Sequence, residues 1–410
     1  MRRKILSEIF QRISGEEKFV TEVLSETIKR NSVNPTFGGP GEYERSMYIE
    51  GILKDFSPDV LKRIEVEDER VPEGVRVNIL AFFKGMSDKT LWIIAHTDEV
   101  PEGDLNLWKT DPFKPVVKEG KVFGRGAEDN GHAIASMLLL AKIVNDIGVK
   151  PRLNIGLIFA ADEEAGSNYG LKFILEKEKP FKKGDLILVP DAGSPKGDFI
   201  EIAEKSILWL KVTTVGKQTH ASTPHKGVNA HRIGMKLALL MDEVLHSRFS
   251  LRDPLFDPAE STFEPTRKEE NVGNINTIPG TDVIYFDCRI LPQYNVDQVV
   301  EVVERTTKFV EETFKVKVRV EVVARSDAAP PTDPNSEVVI KLKEALEFAR
   351  GIKARVGGIG GGTFAAYVRR MGFPVAVWST VDGTAHQPNE YTKISNVIED
   401  AKVFATLVYS

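Results

Sequence analysis

The 410-residue chain has a single cysteine, Cys288, so no disulfide can close within it and a secreted disulfide scaffold is excluded. No apolar run approaches the roughly 20 residues that a membrane-spanning helix needs. The opening MRRKILSEIF places Ile5, Leu6, Ile9, Phe10 and Ile13 on one helical face, but charges interrupt it, so it lacks the apolar centre of a signal peptide. Positive charge is not in excess either: 55 Lys and Arg stand against 60 Asp and Glu, a formal net charge of -5, and no stretch concentrates the basic residues. Nucleic acid and membrane are therefore not expected partners, and the expected location is cytoplasmic. Glutamine occurs only five times while charged residues reach 28%, a bias shared with proteins from hot environments.

Apolar residues make up 41% of the chain, enough for more than one core, and the length implies two domains or one with a large insertion. LWIIA (91–95), LNIGLIFAA (153–161), LILVP (186–190) and PVAVWST (374–380) are continuous rather than alternating, the pattern of buried parallel strands. Helical patterns separate them, notably GHAIASMLLLAKIVND (131–146), with Gly148 just past its end. The expected fold is α/β, with a mostly parallel sheet covered by helices on both faces. From 207 to 323 the order changes to strand, helix, strand near NVGNINT (271–277), strand, helix, strand, which is a ferredoxin-like α+β module. The expected organisation is thus a first domain over 1–206 and 324–410, with 207–323 inserted.

In an open parallel sheet, ligands bind beyond the carboxyl ends of the strands. The residues just past those ends are of metal-binding type: His96 and Asp98 in HTDEVP, Glu163 and Glu164 in DEEAG, Asp191 in PDAG, and His386 in DGTAHQPNEY. The loop GRGAEDNGH adds Asp129. Any one such residue is ordinarily a cap or a turn former. Their recurrence at five separate positions points instead to two divalent ions of the zinc class, held by imidazole nitrogen and carboxylate oxygen. His96 and Asp98 are two apart and share a side of an extended chain, so Asp98 is expected to accept the second ring hydrogen of His96. Adjacent Glu163 and Glu164 on an extended chain diverge, so one can bind metal while the other faces the attacking water.

AHTDEVP, GRGAEDNG, DEEAG, PDAG and AHQPNEY, together with the inserted module, resemble the two-zinc deacylases and exopeptidases that include succinyl-diaminopimelate desuccinylase, acetylornithine deacetylase, aminoacylase and glutamate carboxypeptidase. The resemblance runs from about residue 15 to the end. It implies a zinc-exopeptidase-like catalytic domain with two zinc ions, cobalt being the alternative. His96 and Glu164 would each hold one side of the pair, Asp129 would bridge it, and Asp191 and His386 would complete the two shells. Glu163 would be the base and Asp98 the orienting group. GKQTHASTPHKGVNA resembles the segment whose histidine, here His220, would reach the partner subunit's active site, which would make the insert a lid and dimerisation domain and the protein a homodimer. Asn276, Arg289, Gly362 and Thr363 match positions that hold the substrate carboxylate or the tetrahedral centre.

The glycine run GGIGGGTF (357–364) lacks the GKS or GKT ending of a nucleotide loop. Two departures from the family concern specificity: Phe364 and Ala365 follow Thr363 where many relatives carry Ser and Asp, and Lys205 stands where desuccinylases tend to carry arginine. His132 is a poor third-histidine candidate, and His225, His231 and His246 are expected to serve packing or solvent contact. The expected activity is metal-assisted removal of the acyl group from a small N-acyl amino acid with a free carboxylate. The alternatives are a carboxypeptidase or dipeptidase of the same chemistry and, in another class, a metal-binding or interaction protein without turnover.

Overall fold

The computed structural model describes residues 2–410. The chain divides into two compact units, one of residues up to 202 with 332–356 and 363–410, the other of 203–331 with 357–362. No helix among the described residues is long and apolar enough to cross a membrane.

The first unit is organised by strands buried along their whole length, such as Thr90–His96 and Asn154–Ala160. Such a run cannot face water on either side, so it becomes the middle of a covered sheet. In the eight-stranded sheet the order is Val60–Glu67, Val75–Phe83, Asn154–Ala160, Thr90–His96, Leu186–Ser194, Ala376–Thr380, Phe199–Glu204, Arg355–Ile359. The four strands from Asn154–Ala160 to Ala376–Thr380 run parallel. Val60–Glu67 and Val75–Phe83 are antiparallel additions on one side, and Phe199–Glu204 pairs antiparallel on the other. The sheet is therefore mixed, not mostly parallel as expected. The reason lies in VRVNILAFF: Arg76 and Asn78 break its apolar run, yet both are buried and partnered, Arg76 with Glu42 and Asn78 with the backbone of Ala161.

Register positions the site. His96 lies opposite Ala160, so the chain leaves both strands at the same edge. Ile93 pairs with Leu188, which brings Asp191, three residues on, level with His96. The helix His132–Ile147 is buried from His132 to Ala141 and stops at Gly148, whose φ of 64° suits a residue without a Cβ. It packs against the C-terminal helix Ile394–Tyr409. Each fully buried Leu, Ile or Phe in these elements contributes about 1.5–3 kcal/mol.

The second unit has the element order β-α-β-β-α-β. Its antiparallel sheet runs Thr262–Lys268, Thr281–Ile290, Ser206–Val215, Lys317–Ser326, with the helices Ala230–Arg248 and Val296–Phe314. Leu208, Leu237, Met241, Phe263, Phe286 and Val303 are among its core residues. Cys288 is buried there, and burial pushes its thiol up to about 12. The second strand of this order is Thr262–Lys268 rather than the expected 271–277. TFEPTRK reads as a poor strand, but it lies at the sheet edge, where Pro265 costs no ladder bond and sits at a register shift. Of 271–277 only Thr277 enters a strand, in the short ladder Thr277–Ile278 with Thr219–His220.

Candidate metal centre

The segment after Thr90–His96 is clamped before it reaches the site. Glu99 is buried, accepts the backbone N–H of Ser32 at 3.0 Å and pairs with buried Arg45 at 2.7 Å. A Cβ at Gly126, where φ is 75°, would meet the Glu99 carboxylate at 2.1 Å, so only glycine lets the loop carrying Asp129 approach this closely. That loop, Ala127–Gly131, leaves helical geometry at Asp129 and Asn130 before the helix begins.

Asp129 joins two histidines. Its Oδ1 lies 2.8 Å from His96 Nε2 and its Oδ2 lies 2.9 Å from His386 Nε2. His386 Nε2 is also 3.1 Å from Glu164 Oε1, and His96 Nε2 is 3.6 Å from Asp191 Oδ1. Three groups of donor atoms, each within 4.8 Å of one another, result: His96, Asp129 and Asp191; Asp129, Glu164 and His386; and His96, Glu163 and Glu164.

Asp98 plays a wider part than the sequence implied. His96 Nδ1 contacts the Asp98 backbone carbonyl at 3.0 Å and its carboxylate only at 3.5 Å. The carboxylate instead accepts the backbone N–H groups of Glu163 at 2.9 Å and Glu164 at 3.1 Å, and the amide of Asn34 at 2.8 Å. The glutamate doublet accordingly sits in a turn, not on the extended chain expected, because Asp162 has a φ of 64° and both following N–H groups face one carboxylate.

The electrostatics favour added positive charge. Burial, then the charge of Asp191, pushes Glu163 well above the usual carboxylate range, and burial with the charge of Asp129 pushes Glu164 up to about 7. Hydrogen bonds to Asp129 and Glu164 push His386 up to about 11. Burial works against protonation of His96, but Asp129, Asp191 and Asp98 outweigh it and hold its pKa well above the ordinary value. Burial likewise opposes the charge on Asp129, and the hydrogen bonds from His386 and His96 overcome it, keeping Asp129 low. Like carboxylates this close retain protons unless a cation lies between them. Imidazole and carboxylate donors around a shared carboxylate fit a pair of divalent ions.

Residues whose roles were not legible in the sequence complete the setting. Asn130 donates its amide to Asp191 Oδ1 at 3.0 Å, Asn34 bridges Asp98 and Asp162, and Glu128 and Glu390 bind backbone N–H groups of the loops around them. Phe364 is buried, and its ring meets that of His96 edge-on at 6.2 Å. His132 is outside the donor groups, its Nδ1 lying 2.6 Å from the Glu128 carbonyl.

The other expected residues are placed as follows. Thr363 lies in the first unit, nearly buried, its hydroxyl accepting the Ala365 N–H at 3.1 Å. Gly362 belongs to the second unit, where a Cβ would make ordinary contact with Ile207. In that unit Arg289 forks onto Asp287, at 2.6 and 2.9 Å, and donates to the Gly360 carbonyl at 2.9 Å. Asn276 is exposed, and its carbonyl accepts the Ala221 N–H at 2.8 Å. His220 Nδ1 faces the Ser222 N–H at 3.1 Å. Lys205 is buried and donates to the carbonyls of Pro258 at 2.8 Å and Glu260 at 2.5 Å. His231 pairs with Asp282 at 2.9 Å.

Comparison with known proteins agrees with this chemistry. Residues 92–410 match the model of peptidase family M20/M25/M40. The chain is similar to a metallohydrolase of Methanocaldococcus jannaschii described as uncharacterized, at 42% identity over 397 residues, covering 93% of this chain and 96% of that one. It is similar to the succinyl-diaminopimelate desuccinylase of Coxiella burnetii at 26% identity over 390 residues, covering 92% of this chain and 94% of that enzyme. Among solved structures, human carnosine dipeptidase 1 shares the fold with a TM-score of 0.77 at 19% identity, covering 98% of each chain. The chain therefore belongs to peptidase family M20/M25/M40 and is a metallohydrolase of that family.

Proposed function

We propose that this metallohydrolase cleaves the amide of a small N-acyl amino acid bearing a free carboxylate. The observation that carries the reading is Asp129 set between His96 and His386, with Asp191 completing one donor group and Glu164 the other. His96, Asp129 and Asp191 would hold one divalent ion and Asp129, Glu164 and His386 the second, zinc by donor type, with cobalt as the alternative. When bound, such ions supply Lewis acidity that polarises a carbonyl and makes water nucleophilic near neutral pH. Glu163 takes the proton of the attacking water and returns it to the departing amine, a positioned transfer typically worth about 10² to 10⁴ in rate. Asp98 holds Glu163 and Glu164 in place through their backbone N–H groups.

His220 would donate to the oxyanion. Because its Nδ1 accepts the Ser222 N–H, the neutral ring keeps its proton on Nε2, the donor such a role needs. Asn276, Arg289, Gly362 and Thr363 would recognise the substrate carboxylate. Three of the five N–H donors of Arg289 are engaged by Asp287 and Gly360, leaving two for a ligand. The second unit, expected as the 207–323 insert, would act as lid and dimerisation domain. Exposed Met235 and Leu239 on its helix Ala230–Arg248, and Val322 and Val323 on its edge strand Lys317–Ser326, support a homodimer. A cytoplasmic location suits a chain with one, buried, cysteine.

The binding of the Lys205 ammonium by two backbone carbonyls favours an acyl group without a second carboxylate, such as acetyl, over succinyl. A peptidase reading remains the second: an aminoacyl group in place of the acyl group changes nothing at the metal centre. Zinc-loaded and cobalt-loaded protein assayed on N-acetyl amino acids, N-succinyl amino acids and dipeptides tests this. Preference for N-acetyl substrates is expected; preference for dipeptides establishes the second reading, and no turnover on any overturns both.

A further inference from the structure

Two loops carry Asp129 and His386, which lie 2.9 Å apart, and each sends a buried carboxylate into the other. From the Asp129 loop, Glu128 Oε2 accepts the Asp382 N–H at 2.7 Å, while Oε1 accepts the N–H groups of Thr384 and of Ala385, the latter at 3.2 Å. From the His386 loop, Glu390 Oε1 accepts the N–H groups of Glu128 at 2.8 Å and Asp129 at 2.9 Å, and its Oε2 accepts Gly126 N–H at 3.1 Å and Arg125 Nη1 at 2.6 Å. Glu128 is 3% exposed and Glu390 fully buried. A buried carboxylate is costly unless its lone pairs are used, and the four of Glu390 are all taken, so it is not itself a ligand.

The His386 loop needs such support. His386 has a φ of 61° and Asn389 one of 63°, the left-handed region, which non-glycine residues hold only where the surroundings enforce it. Glu128 grips the N–H groups of Asp382, Thr384 and Ala385, three of the four residues immediately before His386. Glu390, by contrast, grips Asp129, which both donor groups share.

We infer that Glu128 and Glu390 are positioning residues of unequal reach: Glu128 sets the affinity of the cation held by Glu164 and His386, whereas Glu390 sets the affinity of both cations. The inference rests on the two-cation reading given above. Asn130, hydrogen-bonded to Asp191, supplies the opposite contrast, because it touches the other donor group alone.

The test is calorimetric titration of zinc into the metal-stripped full chain, with circular dichroism as the check of folding. The parent protein takes up two ions. Glu128→Gln binds one with parental affinity and the other about 10- to 100-fold more weakly, the usual consequence of losing a group that orients a ligand. The ion it weakens is the one lost in His386→Ala. Glu390→Gln weakens both, and Asn130→Ala weakens the ion that Glu128→Gln spares. Glu128→Asp, which keeps the charge on a shorter arm, gives the same selective loss and serves if the Gln variant does not fold. Equal weakening of both ions by Glu128→Gln and Glu128→Asp, or parental affinity for both, overturns the inference while the two-cation reading stands. Fewer than two ions in the parent protein overturns that reading and the inference with it.

Discussion

Asp98 accepts the backbone N–H of Glu163 at 2.9 Å, and its second oxygen does the same for Glu164 at 3.1 Å. One carboxylate thus sets the turn that aims both glutamates. Removing it leaves two N–H groups without their partner, each worth about 1–3 kcal/mol if they stay buried. Asp98→Ala is therefore expected to bind metal about 10- to 100-fold more weakly and to lose turnover alongside. Metal titration and steady-state kinetics on the purified variant check this; parental values in both would remove Asp98 from the site.

In the proposed reaction Glu163 carries the proton and Glu164 is a ligand. Glu163→Gln is expected to keep both ions and the melting temperature while kcat falls by about 10² to 10⁴. Glu164→Gln is expected to lose an ion. A Glu163→Gln variant that turns over normally would reverse the two assignments or discard them.

Acid stability offers a check away from the site. The Arg70 guanidinium beside Asp68 holds its carboxyl down at about 2 against an ordinary 3.8, and Arg76 adds to this. A depressed folded-state pKa contributes stability that is complete above the ordinary value and disappears as pH falls through about 2. Asp68→Asn should destabilise the fold at pH 7 by about 1–2 kcal/mol, a figure discounted because Arg70 is partly exposed. The deficit should shrink towards zero near pH 2. Urea unfolding at pH 7, 4 and 2.5 measures it, and a deficit independent of pH contradicts the assignment.

The proposed dimer makes a separate demand. Leu239→Asp together with Val323→Lys places charge on the apolar surface of the second unit. The double variant is expected to be monomeric by analytical ultracentrifugation where the parent protein is dimeric. A parent protein that is monomeric and active at nanomolar concentration would refute the dimer.

How much of this was readable in the chain depends on where each signal lies. The buried strands at 91–95, 153–161 and 186–190 announce themselves because a covered strand has no polar face. Val75–Phe83 does not, since Arg76 and Asn78 look like surface residues until their partners, Glu42 and the Ala161 backbone, are known. The convergence of His96, Asp129, Glu163, Glu164, Asp191 and His386 was legible because residues of metal-binding type recur at strand ends and in the loop before the long helix. Glu128, Glu390, Asn34 and Asn130 were not, because they act through backbone N–H groups and side chains distant in sequence, and a hydrogen bond across 262 positions such as Glu128 N–H to Glu390 leaves no local pattern. Thr262–Lys268 was hidden for a further reason: an exposed edge strand tolerates proline and charge.

The central claim is that Asp129 lies between two cations. Anomalous diffraction from crystals of the zinc-loaded protein, recorded at the zinc absorption edge, tests it most directly. Two peaks are predicted, one against His96 and Asp191 and the other against Glu164 and His386, with the Asp129 carboxylate between them. A map with no peak there, or with a single peak at saturating zinc, would contradict it.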